Sequence, residues 1–331
     1  MCREIQMQDI INKIAAIGKG ILAADESTPT ITKRLESVGV ESTFENRHYY
    51  RHALFSATDI EKYISGVILF DETIKNEDTI CPLIDKNVCL GIKVDKGAKD
   101  YYSFGANEKP TEGLDGLDDR LKEYKDLGAE FAKWRAVLNT NSPTGSIVAN
   151  AYVMARYAKK CQLAGIVPIV EPEILMEGSH TIYKTFEVTA NVLHYVFEAL
   201  YYENVVLEHM ILKPNMVLSG YQNHTAHPDD VADMTLRCFR RVVPAAVPMI
   251  VFLSGGQPDG NAVRNLNAMN REDTELHSPW YMSFSFGREL QQNALAEWAS
   301  GNEQGAKEAL VKRAKECSLA SWGEFSEPVN I

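Results

Sequence analysis

Eight short apolar runs, separated by helical or loop segments, constrain the fold of this 331-residue chain more than any other feature of its sequence. Strands that alternate with helices form a parallel sheet, and eight such units in about 300 residues fit a closed barrel better than an open sheet. We therefore predict an α/β fold, a single (β/α)₈ TIM barrel. The runs lie at residues 20–25, 64–70, 88–94, 129–138, 165–174, 209–212, 248–253 and 280–286.

Helical periodicity fills most of the gaps between the runs and extends beyond both ends of the set. An extra amphipathic helix is predicted over residues 1–17, helical structure over 289–319, and a glycine-containing loop over 95–115. No shift in composition marks a linker, so we expect the whole chain to form one barrel domain. Its N-terminal helix would lie within residues 1–19 and a short tail at 320–331. The other helices are expected at 30–38, 45–56, 117–127, 146–164, 179–202, 228–242 and 261–269.

Composition narrows the classes of function that this chain can serve. Its formal net charge of -11 argues against general binding to nucleic acid or to anionic membranes. Its six cysteines include no C-x-x-C pair, which predicts neither a disulfide framework nor a cysteine zinc site and fits a reducing compartment. No apolar run approaches the length of a membrane span, and the first residues lack a signal-peptide core. We therefore predict a soluble, cytoplasmic protein.

A lysine, Lys213, stands where the sixth apolar run ends, and Pro214 stops a regular continuation of that strand. Burial disfavours the charged form of a lysine and makes its neutral amine a nucleophile, which prepares it for Schiff-base chemistry with a carbonyl. Taken alone, the pattern fits a strand-end lysine that reaches solvent equally well. The residues at the other strand ends distinguish the two interpretations.

Charged residues stand at or just beyond the ends of most other runs, and the C-terminal ends of all strands in a barrel converge on one mouth. Individually, these residues also fit turn caps, solvated strand ends or plain salt bridges, and Arg288 fits the first turn of the last helix. Because so many strands share the pattern, we expect one polar cavity. Its predicted lining is Asp25, Lys93, Lys133, Arg135, Glu171, Glu173, Lys213 and Arg288.

The residue types in this cavity point to a reaction on a carbonyl compound. A neighbouring cation, Lys133, favours the neutral form of Lys213. The paired carboxylates Glu171 and Glu173 can move protons while an imine forms and a carbon skeleton is cut.

Two groups of residues on the rim are suited to hold anions. The glycine-rich turn at 254–257 exposes backbone N–H groups, and Arg288 opens the last helix, so the two form a phosphate site after strands seven and eight. Lys93 and Arg135 lie elsewhere on the rim and can hold a second anion. Two phosphates with a carbonyl between them describe a bisphosphorylated ketose.

On these residues, the sequence closely resembles class I fructose-1,6-bisphosphate aldolase, from residue 19 to residue 321. The resemblance implies a lyase of glycolysis and gluconeogenesis that cleaves fructose 1,6-bisphosphate reversibly to dihydroxyacetone phosphate and glyceraldehyde 3-phosphate through a lysine Schiff base. It implies no cofactor and no metal, and a cytoplasmic homotetramer. The motifs are G-I-L-A-A-D-E-S at 20–27, G-I-K-V-D-K-G at 91–97, K-W-R at 133–135, V-P-I-V-E-P-E-I at 167–174, L-K-P-N-M at 212–216, F-L-S-G-G-Q at 252–257 and S-F-G-R at 285–288.

Carried over residue by residue, the resemblance identifies Lys213 as the Schiff-base lysine and Glu171 as the general acid/base of imine formation. Lys133 and Asp25 are expected to assist cleavage of the C3–C4 bond, and Glu173 to hold the lysines in position. Substrate binding is expected from Ser254, Gly255, Gly287 and Arg288 at the first phosphate, from Ser285, and from Arg34, Lys93 and Arg135 around the other end.

The C-terminal sequence departs from the pattern of many family members, which end in a mobile tail with a tyrosine that helps to exchange the α-proton of the enamine. Here Tyr281 is the last tyrosine, and the sequence stops at S-E-P-V-N-I. We expect carbon–carbon cleavage to be retained and enamine protonation to use another group, such as Glu171 or the substrate phosphate.

Three other interpretations stay open at this level. A metal-dependent aldolase needs a cluster of histidine ligands, but the pairs His48/His52 and His224/His227 follow no strand and are interpreted as surface or core residues. Other Schiff-base barrels, such as transaldolases, share the lysine but are not expected to carry two phosphate sites. A binding scaffold for cytoskeletal or membrane proteins is the third, and no motif predicts such a partner.

Overall fold

The eight apolar runs form parallel strands that close into a barrel in the computed structural model, which describes residues 2–100, 108–273 and 278–327. Each strand pairs with the next one along the chain, and the first pairs with the eighth. The predicted (β/α)₈ barrel is therefore confirmed. The strands are β1 (Gly20–Ala24), β2 (Ile64–Leu69), β3 (Cys89–Lys93), β4 (Phe131–Leu138), β5 (Val167–Ile174), β6 (Ile211–Leu212), β7 (Met249–Phe252) and β8 (Tyr281–Phe286).

Helices connect the strands and surround the barrel, and one extra helix precedes β1. They are α1 (Cys2–Ile14), α2 (Thr28–Ser37), α3 (Phe44–Phe55), α4 (Asp71–Ile74), α5 (Glu77–Asp85), α6 (Leu117–Asp126), α7 (Thr144–Ala164), α8 (Ile182–Tyr202), α9 (Pro228–Val242), α10 (Asn261–Asn270), α11 (Arg288–Ala299) and α12 (Glu303–Ser321). Single 3₁₀ turns occur at Ile60–Lys62 and Leu207–His209.

The inside of the barrel is packed by apolar side chains of the strands and of helix α1. Ile10, Ile11 and Ile14 of α1 are buried against this inner cluster, so the extra helix closes the N-terminal end of the barrel. Phe131 fills the space within, next to Gly91, where an added Cβ would lie 2.2 Å from its ring. A second, larger apolar cluster fills the layer between the strands and the surrounding helices. Because α1 closes the N-terminal end, the barrel is open at the C-terminal ends of its strands.

The stretch predicted to be helical at residues 289–319 contains two helices. Helix α11 ends at Ala299 and α12 begins at Glu303. Gly301 between them has a φ of 84°, a left-handed conformation that glycine adopts at little cost. Asn302 then caps α12 by accepting a 2.9 Å hydrogen bond from the Gly305 backbone N–H.

Several boundaries also differ from the predictions. The predicted helix at residues 1–17 ends at Ile14, and strand β6 is only two residues long because His209 belongs to a 3₁₀ turn. The short helices α4 and α5 between β2 and β3 were not predicted, and Pro82 interrupts the periodicity of the second one.

Parts of three predicted segments lie outside the described residues: residue 1 of the first helix, residues 101–107 of the loop, and residues 328–331 of the tail. The described parts of the loop contain no helix or extended strand, only an isolated bridge between Ala98 and Thr111. Across the residues that the structure describes, no helix is both long enough and apolar enough to cross a membrane.

Candidate active site

All the residues predicted to form the site line one cavity of about 1210 Å³ at the mouth of the barrel. Most come from the C-terminal halves of the strands or from the segments that follow them, which a parallel barrel brings together at one mouth, and Lys133 is the third of the eight residues of β4. The cavity lining includes Asp25, Arg34, Lys93, Lys133, Arg135, Glu171, Glu173, Lys213, Ser254, Gly255, Ser285, Gly287 and Arg288.

Glu171 joins the two buried lysines at the centre of the site. It lies on β5, between Lys133 on β4 and Lys213 directly after β6, because β5 pairs with both of those strands. Its Oε1 lies 3.3 Å from Lys213 Nζ, and its Oε2 lies 3.2 Å from Lys133 Nζ. Oε2 makes no aligned hydrogen bond within the described residues despite this close approach, so the contact with Lys133 is purely electrostatic. The carboxylate can therefore accept a proton in the geometry that it already has.

Asp25 directly follows β1 and forms an ion pair with Lys133, with 2.7 Å between Oδ2 and Nζ. Burial alone would raise the pKa of Asp25, but the attraction of Lys133 and Lys213 outweighs it and lowers this pKa to about 2. The pKa of Glu171 is also lowered, because the attraction of the two lysines outweighs its burial. For Lys133, burial alone would lower the pKa, but the two carboxylates raise it. Lys133 is therefore held as a cation between two anions.

Glu173 and Arg135 form a second ion pair, between the Glu173 carboxylate and Arg135 Nε. Arg135 lies beside Glu171 in the β4–β5 register, yet it pairs with Glu173 because the oxygens of Glu171 face the lysines. The resemblance led us to expect that Glu173 holds the lysines. Within the described part of the chain, its ion pair is with Arg135 instead.

Two buried carboxylates in the cavity were missed by the sequence analysis. Glu26 forms an ion pair with Arg34, and Asp95 forms one with Lys93. Both stand two residues beyond the end of a strand, β1 and β3 respectively. The rule that selected the other site residues would therefore have found both.

The two halves of the expected first-phosphate site lie against each other. Arg288 is the first residue of α11, and Gly287 precedes it as the N-cap. At Gly256, in the turn after β7, an added Cβ would lie 2.8 Å from Arg288 Nη2, so the guanidinium packs directly on the backbone of the turn. Gly255 and Gly256 both have positive φ, at 51° and 76°. A cation, a helix N-terminus and two glycines thus converge at one rim of the cavity, an arrangement suited to an anion.

Ser285 and the histidine pairs complete the set of predicted residues. The hydroxyl of Ser285 is buried and has no hydrogen-bond partner among the described residues, although it lines the cavity. His48 lies beside His52 on α3, with 6.1 Å between ring centroids, and its Nδ1 contacts Thr79 outside the cavity. No group of three or more potential metal ligands occurs in the described ranges.

A comparison with known protein families identifies the family of this chain. A family model described as fructose-bisphosphate aldolase class-I matches residues 6–330. The chain belongs to the class I fructose-bisphosphate aldolase family. This is a glycolytic family that acts on sugar phosphates, and the chain is a lyase of that class.

Curated relatives of the family match almost the whole chain. A probable fructose-bisphosphate aldolase class 1 of Xylella fastidiosa (strain 9a5c) is 47% identical over 333 residues, which cover 97% of this chain and 98% of the relative. Fructose-bisphosphate aldolase 6, cytosolic, of Arabidopsis thaliana is 50% identical over 323 residues, which cover 94% and 89% of the two chains.

A solved structure has the same fold. The fructose-bisphosphate aldolase of Plasmodium falciparum, in complex with TRAP and a small-molecule inhibitor, matches with a TM-score of 0.95 and 43% sequence identity. The match covers 99% of this chain and 97% of the other. The closed barrel described above is thus the fold of an aldolase of this family.

Proposed function

We propose that this chain cleaves fructose 1,6-bisphosphate reversibly into dihydroxyacetone phosphate and glyceraldehyde 3-phosphate through a Schiff base on Lys213. The position of the Glu171 carboxylate, 3.3 Å from the Lys213 amine and 3.2 Å from Lys133, carries the proposal. A lysine that attacks a carbonyl needs a nearby group to take up its proton, and Glu171 lies within reach.

Imine formation follows from this contact. Lys213 gives its ammonium proton to Glu171, and the neutral amine adds to the C2 carbonyl of the ketose. Glu171 returns that proton to the C2 oxygen to form the carbinolamine, and then carries one proton from the nitrogen to the C2 hydroxyl, which leaves as water and yields the protonated imine. Because the pKa of Glu171 is lowered by the two lysines, it begins the cycle as a base.

Cleavage of the C3–C4 bond uses the charges around the imine. The C4 hydroxyl gives its proton to the Asp25 carboxylate, the C3–C4 electron pair moves into the protonated imine to form an enamine, and the aldehyde departs. We assign assistance in this step to Asp25 and Lys133, whose 2.7 Å ion pair lies in the same cavity. We assign the later protonation of the enamine at C3 to Glu171 or to the substrate phosphate.

The rim residues would hold the two phosphates. Ser254, Gly255, Gly287 and Arg288 are assigned to the phosphate of the dihydroxyacetone half, and Ser285 to the substrate chain between. Arg34, Lys93 and Arg135 are assigned to the other end. The support for this division is spatial, since Arg288 packs on the turn after β7 whereas Lys93 and Arg135 belong to the neighbouring strands β3 and β4.

The wider setting is also a proposal. We infer that the chain forms one barrel domain, acts in glycolysis and gluconeogenesis, and assembles as a homotetramer in the cytoplasm. The relative from Arabidopsis that is named as cytosolic supports the location. Size-exclusion chromatography with light scattering tests the assembly.

The deciding experiment is reduction with borohydride in the presence of dihydroxyacetone phosphate, followed by peptide mapping. The expected result is one adduct, on Lys213, and none in Lys213→Arg. Cleavage of fructose 1,6-bisphosphate is expected to persist in excess chelator.

Two outcomes would overturn the proposal. An absent adduct together with activity lost to a chelator would assign the reaction to a metal. An adduct on Lys213 without any preference for a bisphosphorylated over a monophosphorylated ketose would favour another Schiff-base barrel enzyme.

A further inference from the structure

A buried carboxylate that the reaction does not use, Asp95, holds one of the rim cations. Its side chain is 3% exposed, and it forms an ion pair with Lys93, the last residue of β3. Lys93 Nζ donates a second hydrogen bond, of 2.8 Å, to the backbone carbonyl oxygen of Asp95. An ammonium group has three N–H donors, so two are fixed by Asp95 and one remains for a ligand in the cavity. The side chain of Lys93 is thereby held at a single place on the rim.

The same carboxylate is itself fixed by two backbone groups. Its Oδ1 accepts a 3.1 Å hydrogen bond from the Gly97 N–H, and its Oδ2 accepts a 3.3 Å hydrogen bond from the Arg135 N–H. All the groups around both oxygens are therefore donors, which an ionised carboxylate satisfies and an amide cannot. Asp95 thus connects the end of β3, the segment that follows it and β4.

We propose that Asp95 is a positioning residue that fixes the ammonium of Lys93 for the phosphate at the far end of the substrate, and that it thereby sets the preference for a bisphosphorylated ketose. This rests on the proposed function. A lysine side chain has four rotatable bonds, and an unanchored ammonium would lose that freedom when it binds the phosphate. Because Asp95 already fixes the Lys93 side chain, substrate binding does not include this loss of conformational entropy.

Asp95→Asn tests the proposal with two substrates. The amide keeps the size of the side chain and one acceptor oxygen, but it removes the negative charge and places an N–H₂ donor either against the Arg135 N–H or against Lys93 and the Gly97 N–H. We expect kcat/KM for fructose 1,6-bisphosphate to fall by about tenfold, and kcat/KM for fructose 1-phosphate, which lacks the second phosphate, to stay within about twofold. Asp126→Asn is the matched control, because it makes the same change in an exposed 3.0 Å pair with Lys122 and should leave both values unchanged.

A double-mutant cycle with Lys93→Met separates positioning from a general structural role. If Asp95 acts through Lys93, Asp95→Asn should not alter the ratio of the two kcat/KM values in the Lys93→Met background. An equal loss for both substrates, a selective loss that persists in that background, or no change in Asp95→Asn would each overturn the proposal. If Asp95→Asn does not fold, Asp95→Glu, which keeps the charge but moves the oxygens by one methylene, serves for the same comparison.

Borohydride trapping distinguishes a failure of this proposal from a failure of the proposed function. Dihydroxyacetone phosphate lacks the far phosphate, so Asp95→Asn should trap it as the wild-type chain does. An adduct on Lys213 in both chains without a selective kinetic effect refutes the role of Asp95 alone. No adduct in the wild-type chain refutes the Schiff-base function itself.

Discussion

Removal of the Lys133 ammonium tests the charge arrangement of the site most directly. Lys133 is 3% exposed and is the shared cation of Asp25 and Glu171, at 2.7 and 3.2 Å. Lys133→Met keeps the length and most of the volume of the side chain, so the packing of the β4 end should survive. Its effect should therefore come from the two carboxylates that lose their partner.

The size of the effect follows from the distances. With an effective dielectric constant of about 20, the attraction of the ammonium to Asp25 at 2.7 Å is about 6 kcal/mol, and to Glu171 at 3.2 Å about 5 kcal/mol. The net loss is smaller, because Lys213 remains as a counter-charge to Glu171 and because Asp25 can take up a proton. Breaking a buried pair costs about 3–5 kcal/mol, and we expect the lower end of that range at pH 7.5.

The dependence on pH identifies the cause. In the wild-type chain the pKa of Asp25 lies at about 2, below its ordinary value of 3.8, so the stability that this group contributes is present above about pH 4 and is lost as the pH falls through 2. In Lys133→Met the pKa of Asp25 should instead rise, because burial is no longer opposed by that ammonium. The difference in unfolding free energy between the two chains should therefore shrink as the pH falls from 7.5 to 5. Urea-induced unfolding at several pH values measures it.

Two further variants make this prediction refutable. Lys133→Met combined with Asp25→Asn removes the unpaired charge and should recover at least about 1 kcal/mol relative to Lys133→Met. Lys122→Met, in the exposed pair with Asp126, should change stability by no more than about 0.5 kcal/mol. If Lys133→Met matches the wild-type chain at pH 7.5, or if the difference does not depend on pH, our account of the buried charges is wrong.

Three more variants address substrate contact, packing and chemistry. Ser285→Ala should lower kcat/KM for fructose 1,6-bisphosphate by about tenfold. The free energy of unfolding should change by no more than about 0.5 kcal/mol, because the buried hydroxyl has no hydrogen-bond partner to lose among the described residues. A loss of stability without a loss of activity would contradict this. Gly91→Ala should destabilise the chain by at least about 1–3 kcal/mol, because the new methyl group would lie 2.2 Å from the Phe131 ring. Adding Phe131→Leu to that variant should recover part of the lost stability, as measured by thermal unfolding. Lys213→Arg should lower kcat by about three orders of magnitude or more while the chain stays folded, and retained turnover would exclude the imine.

The strands and the members of the site could be predicted because both depend on simple periodic features. Strands buried on both faces appear in the sequence as continuous apolar runs, and a barrel brings their C-terminal ends to one mouth whatever their separation along the chain. Lys93 and Lys133 are forty residues apart and are nevertheless partners in the β3–β4 register. Residue type and position along the apolar runs therefore predicted most of the cavity lining without any knowledge of contacts, whereas Arg34, on α2, was identified only through the family resemblance.

The ion-pair partners within the site could not be predicted in this way. Arg135 has Glu171 beside it in the strand register but pairs with Glu173, because Glu171 is occupied by two lysines that come from different strands. Which glutamate pairs with Arg135 depends on the lengths and directions of several side chains at once, and the spacing of residues in the sequence does not give this information. The break after Ala299 is a different case, since the Gly-Asn sequence at 301–302 was a visible signal for a helix end and a new cap.

The pairing of the rim cations leads to a last prediction, about which phosphate the site binds first. Arg34, Lys93 and Arg135 each hold a buried carboxylate, whereas the ion pairs of the described residues leave Arg288 without one. An anion at the far end therefore meets cations that are fixed in position but partly neutralised by Glu26, Asp95 and Glu173, while an anion at Arg288 meets an uncompensated charge beside a helix N-terminus.

We accordingly expect Arg288→Met to raise the concentration of dihydroxyacetone phosphate that gives half-maximal borohydride trapping by at least about tenfold. Lys93→Met should change that concentration by less than about twofold. Equal effects of the two substitutions would mean that dihydroxyacetone phosphate does not bind selectively at Arg288, because a substrate with only one phosphate would then be using both ends of the cavity. The net charge of -11 makes this test more demanding, since the whole chain repels phosphate and cations such as Arg288 must provide the attraction locally.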